Sequence, residues 1–259
     1  MAETSLPPEQ QEAASASYFS VTRSATYGFW SALPLIGLYE WLILTSNRDS
    51  DQPVRISSEI FLKSWLDFID GPGVPIMLGI VVVIGVIIWA YDRRKPTPLR
   101  LGYFGGMIIE SALYAVLVAF IVANLVSVLT TMFAPVALAV GQAAPVEFDL
   151  RTEIALSIGA GIYEELLFRV VLVGSLYIGI KAFFRLDTMA YVIAAVLGAL
   201  VFSWIHYVGS FGDPFTVPSF LFRFLFGLAL NVLFLTRGFG VAAWTHALYD
   251  IFVVTDLLG

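Results

Sequence analysis

Six residues of this chain have the types and spacing to do chemistry together: Glu164, Glu165, Arg169, His206, His246 and Asp250. His206 and His246 are its only two histidines, and both sit inside strongly apolar stretches. A third apolar stretch carries the adjacent pair Glu164 and Glu165, with Arg169 just behind. Ionisable groups are costly in hydrocarbon, so those found there are usually functional. One acid and two imidazoles on separate apolar segments point to a single polar site inside a membrane bundle. An acid in such a site is free to work on water.

Each motif also has a structural reading. In Glu164-Glu165-Leu-Leu-Phe-Arg169, neighbouring helical residues diverge by about 100° and cannot share a role easily. Glu165 and Arg169 stand at i and i+4 with the acid first, the favoured order for a helical ion pair. That pairing leaves Glu164 free to work on water, although all three residues can equally form one ion network. Phe202 and His206 lie one turn apart on a shared face. A lone membrane histidine is more often a packing residue with one hydrogen bond than a catalyst. His246 and Asp250, again i and i+4, could be a pair that merely locks its helix. These structural readings weaken in combination, because both histidines and the only Glu-Glu pair lie in apolar spans.

Taken in order, Glu-Glu-x-x-x-Arg, Phe-x-x-x-His and His-x-x-x-Asp on successive apolar segments resemble the pattern of the CPBP family of intramembrane proteases. That family contains the CAAX-type prenyl-protein endopeptidases and the bacterial Abi-like proteins. The segment Phe222-Arg-Phe-Leu-Phe-Gly227 also looks like the family's Phe- and Gly-bearing helix before the last histidine. The resemblance covers about Glu153 to Val254. It implies that Glu164 is the general base, that His206 helps hold and activate the water, and that His246 and Asp250 lie on the oxyanion side. Glu165 and Arg169 would support them. Many peptidase members carry Asn where this chain has Asp250. An amide can donate to an oxyanion and an ionised carboxylate would repel it, so Asp250 is expected to orient His246 instead.

The resemblance implies a glutamate-type mechanism with no metal and no cofactor. A zinc site built from Glu164, His206 and His246 with water as fourth ligand is the competing chemistry, but no His-Glu-x-x-His helix is present. The function expected is an intramembrane endopeptidase that cuts a membrane-associated protein or peptide substrate. One alternative is a non-catalytic Abi-like membrane protein serving immunity, partner binding or complex assembly. Another is a proton-coupled transporter using Glu40, Glu110, Arg223 and the histidines as a relay. The sequence has no internal repeat of the kind from which many transporters are built.

Composition requires that these residues be positioned by membrane helices. Of 259 residues 59% are apolar and only 13% charged, against roughly 25% charged in ordinary globular proteins. Mean hydropathy is +0.85. The absence of cysteine removes disulfides and thiol chemistry. A net charge of −6 argues against nucleic acid as a partner. The fold class expected is an all-α polytopic membrane protein, a bundle of about seven transmembrane helices with a buried polar site. The spans fall near 27–45, 74–91, 106–133, 153–180, 190–207, 218–236 and 241–258, judged against the roughly 20 residues needed to cross a bilayer. Residues 1–25 are expected to be a disordered polar tail, 26–150 the N-terminal transmembrane helices, and 151–259 the CPBP-like core. The first three helices also offer a surface for a possible membrane partner. No positive n-region opens the chain, so the first span is expected to be retained.

Positive charge places the N-terminus inside. Arg23, Arg93, Arg94, Lys95, Arg100, Lys181, Arg185 and Arg237 then share the cytoplasmic side, and the C-terminus lies outside, in a bacterial cytoplasmic membrane. Span four is long: as a continuous helix, Glu153 to Arg185 would measure about 48 Å against a core of about 30 Å. It is expected to tilt, to kink near Gly159–Gly161, or to protrude. Protrusion of spans four and five would bring Glu164, His206 and His246 together in the cytoplasmic half. The loop 46–73 carries Phe61, Trp65 and Phe68 at helical spacing, the pattern of an interfacial helix.

Overall fold

The structure, a computed structural model, describes residues 17–48, 53–64, 73–93, 97–132, 148–184, 187–209 and 212–258. Every regular element among them is helical. In chain order these are α1 (Tyr18–Thr22), α2 (Ala25–Ser46), α3 (Ser57–Ser64), α4 (Gly73–Asp92), α5 (Leu101–Met132) and α6 (Leu150–Gly159). A π-helix (Ala160–Val173) follows α6 without a break and leads into α7 (Gly174–Phe184). Then come α8 (Asp187–Ile205), α9 (Val217–Arg237) and α10 (Phe239–Val254). Helix starts are marked by side-chain caps: Ser24, Asp149 and Thr216 accept from the backbone N–H three residues on, satisfying donors that the first turn leaves open.

Each of the seven expected spans contains a helix. Among the described residues, five stretches are long and apolar enough to cross a membrane: Ala25–Ser46, Leu101–Met132, Leu150–Phe183, Asp187–Ile205 and Val217–Arg237. The apolar α10 is shorter, at 16 residues. Large apolar side chains such as Ile109, Leu113 and Phe120 of α5 face outward, as expected of a surface solvated by lipid. The chain is an all-α, multi-pass membrane protein.

The centre of the bundle is α10, which packs against α2, α5, α6, the π-helix and α9. Its buried face is made of small residues, Gly240, Ala242, Ala243 and Ala247, which let neighbouring backbones approach closely. It is joined to α9 through one residue, Gly238, whose φ of 83° lies in the left-handed region. A Cβ there would stand 2.6 Å from the Arg23 carbonyl oxygen, so glycine is required both by conformation and by space.

The long fourth span changes from α to π winding at Ala160, next to the expected kink at Gly159–Gly161. Its second half, α7, packs against α8 as a helical hairpin. Glu164 lies 20 residues before Phe184, and His206 lies 19 residues after Asp187. At the α-helical rise both stand about 30 Å from the hairpin tip, which is why they share a depth. His246 is only eight residues beyond Gly238, about 12 Å. The α7–α8 hairpin therefore extends well past the Gly238 turn.

Part of the segment expected to be a disordered tail is folded. Ser17 caps α1, the Tyr18 hydroxyl donates to Glu110 Oε2 at 2.8 Å, and Arg237 Nη1 donates to the Phe19 carbonyl at 2.9 Å. The polar stretch 1–16 lies outside the described residues. The expected interfacial helix is present as α3, with Trp65 and Phe68 outside the described residues. It turns Ser58 and Glu59 inward and leaves Ile60 and Phe61 exposed. Its polar face is the docked one, because the bundle offers ionic partners there.

Candidate functional site

Glu164 from the π-helix, His206 just past the end of α8, and His246 and Asp250 from α10 line one cleft of about 470 Å³. Arg223 of α9 completes the polar wall, and Ile56, Leu156, Phe222, Val253 and Val254 supply apolar surface. Glu164 Oε2 is 3.9 Å from His206 Nε2 and 3.9 Å from His246 Nε2. That oxygen is buried and makes no hydrogen bond.

The two imidazoles are held from behind through their other nitrogens. His206 Nδ1 lies 2.7 Å from the Phe202 carbonyl oxygen. A carbonyl can only accept, so Nδ1 carries a proton, and Nε2, which faces Glu164, is the lone-pair nitrogen whenever the ring is neutral. His246 Nδ1 lies 2.8 Å from Glu165 Oε1, and the same oxygen is 2.9 Å from Arg169 Nη1. Glu165 and Arg169 are both fully buried. Their contact is an ion pair without hydrogen-bond alignment. The Arg169 guanidinium also lies 4.5 Å from the Phe202 ring centre, a cation–π contact. Phe202 meets both histidine rings edge-on, at 5.0 and 5.9 Å between centroids.

Asp250 stays beside His246, but it is joined there by a second carboxylate. The carboxylate that fixes the Nδ1 edge of His246 belongs to Glu165, whereas Asp250 Oδ2 approaches Nε2 at 3.5 Å. The reason is geometric. The π-helix crosses the back of the ring, while Asp250 sits one turn along α10 on the cleft side. Glu165 therefore does more than neutralise Arg169. Its signals in the sequence were adjacency to Glu164 and the i,i+4 spacing to Arg169, and neither tells that it will also face His246 from another helix.

The cleft also opens at an unexpected end of the bundle. Its lining comes from the start of α6, the end of α8, the start of α9 and the end of α10. On the charge-based orientation that end is the non-cytoplasmic one, whereas the cluster was expected in the cytoplasmic half. The equal spacing of Glu164 and His206 from the hairpin tip carries both toward the far end.

Arg223 was read only as a relay residue, yet it lines the cleft. Its signal was a lone arginine within an apolar helix. The other two relay residues lie elsewhere. Glu40 pairs with Arg55 at 3.3 Å, and Glu110 pairs with Arg237 at 2.5 Å. Arg55 also pairs with Glu59 at 2.7 Å, and Tyr39 donates to Glu59, so these charges pin α3 against α2. Burial lowers the Arg55 pKa, but Glu59 and Glu40 more than offset this and leave it raised. Among the described residues, no three His, Cys, Asp or Glu side chains are grouped to hold a metal ion.

Fold and site together define a polytopic membrane protein with a glutamate–histidine cleft inside its bundle. Residues 149–252 match the family model described as type II CAAX prenyl endopeptidase Rce1-like. The CPBP resemblance read from the motifs is thereby shown over that segment, and it supports a membrane protease kind of function. No curated protein and no solved structure matches the chain.

Proposed function

We propose that the chain is an intramembrane endopeptidase that hydrolyses a peptide bond with a water activated by Glu164 and His206. The observation carrying this reading is the unpartnered Glu164 Oε2, 3.9 Å from both Nε2 atoms in an open cleft. That separation is too long for a direct hydrogen bond and suits one bridging water. A water between Glu164 Oε2 and His206 Nε2 would donate a hydrogen to each and turn an oxygen lone pair toward a substrate carbonyl. Attack would form the C–O bond as Glu164 takes the proton. Collapse would break the C–N bond as Glu164 returns a proton to the leaving amine. His246, fixed by Glu165, presents Nε2 to the same space, where a protonated ring or a protonated Asp250 could donate to the oxyanion.

The substrate would be a membrane-associated protein or peptide whose scissile segment enters the cleft unwound. The test is cleavage of processed membrane and secreted peptides by purified wild type, Glu164→Gln and His206→Ala, with folding checked by thermal unfolding. Loss of cleavage in both folded variants is expected, by about 10²–10⁴-fold for a general base. Undiminished cleavage in either refutes the role given to it. A phenotype that survives both substitutions would instead identify a non-catalytic, Abi-like membrane protein.

A further inference from the structure

His206 is half-buried and stands one residue past the last residue of α8. Helix packing alone does not fix the backbone there. The His206 carbonyl accepts from the Asp213 N–H at 2.8 Å, and the Asp213 carboxylate pairs with Arg223. Arg223 Nη1 donates to the Tyr207 hydroxyl at 2.8 Å and to Ser219 Oγ at 2.8 Å. The Tyr207 hydroxyl in turn donates to Ser219 Oγ at 2.8 Å, and the guanidinium lies 5.1 Å from the Tyr207 ring centre. One guanidinium on α9 thus gathers the residue that follows His206 and the residue that holds its carbonyl.

We propose that Arg223, with Asp213 and Tyr207, is the positioning clamp for His206, setting where its imidazole stands in the cleft. Arg223 suits this task because its planar fork offers several donors in fixed directions, which a lysine cannot reproduce. An isolated, partly exposed ion pair contributes little to stability. The value of this one lies in geometry, since small misplacements of a reacting group cost rate steeply. The consequence for cleavage rests on the endopeptidase reading, but the positional claim does not.

The chain's two histidines make the claim measurable without a substrate. Protein labelled with ¹⁵N-histidine has two imidazoles to observe, assigned by His206→Ala and His246→Ala. Arg223→Gln and Asp213→Asn should shift the His206 ring signals and tautomer balance and leave those of His246 in place, with Arg223→Lys intermediate. Asp187→Ala is the control. It removes the exposed 2.8 Å Lys181–Asp187 pair at the opposite end of α8 and should move neither ring. Where cleavage is measurable, kcat should fall about 10- to 100-fold with KM nearly unchanged. If Arg223→Gln does not fold, Asp213→Asn, which keeps the guanidinium, decides. Unchanged His206 signals, or equal disturbance of both rings, overturn the proposal. Altered His206 signals in a protein that cleaves nothing would keep the clamp and discard the endopeptidase reading.

Discussion

At the residue scale, the site divides into a working acid and a structural acid that are neighbours in sequence. Glu164 faces the cleft without a hydrogen bond, while Glu165 is committed to His246 and Arg169. Replacing Glu165 by Gln strips the charge partner from a buried guanidinium, a class of change that costs about 3–5 kcal/mol. Glu165→Gln should therefore lower the unfolding temperature markedly, whereas Glu164→Gln, which removes an unpaired buried acid, should leave it unchanged or raise it. Thermal unfolding in detergent of the two variants side by side checks the contrast; equal effects would show that the two acids are not so divided. Chelation is a second prediction at this scale. Exhaustive EDTA treatment should leave cleavage intact, and a loss restored by zinc would overturn the metal-free reading. The sequence made the residue types legible, since charges in apolar spans stand out. It did not disclose which acid meets His246, because that depends on how two helices far apart in the chain are rotated against each other.

At the element scale, what brings Glu164 to His246 is the contact of the π-helix with α10. Gly161 lies in that contact. A Cβ there would stand 2.6 Å from the Ala243 carbonyl oxygen and 2.6 Å from the Ala247 Cβ. Neither neighbour can rotate away, since one is backbone and the other has no rotamer. Gly161→Ala should separate the elements, lower stability by about 1–3 kcal/mol as overpacking does, and reduce cleavage although no site residue is changed. A variant with wild-type unfolding temperature and activity would show that the contact is looser than described. The spans themselves were readable because long apolar runs with capped starts admit few other interpretations. The π winding was not, because the few polar residues of that segment, Glu164, Glu165 and Arg169, are read at the ordinary helical spacing and are too few to reveal a different number of residues per turn. The inverted docking of α3 was hidden for a related reason: Phe61 marked an apolar face, but only the tertiary position of Glu40 and Tyr39 shows that the opposite face is the docked one.

At the scale of the whole molecule, the open question is which aqueous side the cleft faces. The bundle has two distinguishable ends. One carries the cleft and the C-terminus of α10, and the other carries the tip of the α7–α8 hairpin. Positive charge assigns the hairpin end, with Lys181, to the cytoplasm. The cleft would then receive its substrate from the opposite side. Because the chain has no cysteine, single thiols can report on this directly. Leu257, 69% exposed, follows α10 at the cleft end, and Phe183, 87% exposed, lies at the hairpin tip. In intact cells, Leu257→Cys should react with a membrane-impermeant maleimide, and Phe183→Cys should react only after permeabilisation. The reverse pattern would invert the protein and bring substrate from the cytoplasm. Labelling of both positions in intact cells would mean that the hairpin tip and the cleft do not lie on opposite sides of the bilayer. The distinction bears on substrate, since a cleft facing outward meets exported chains, whereas one facing inward meets chains that have not yet crossed.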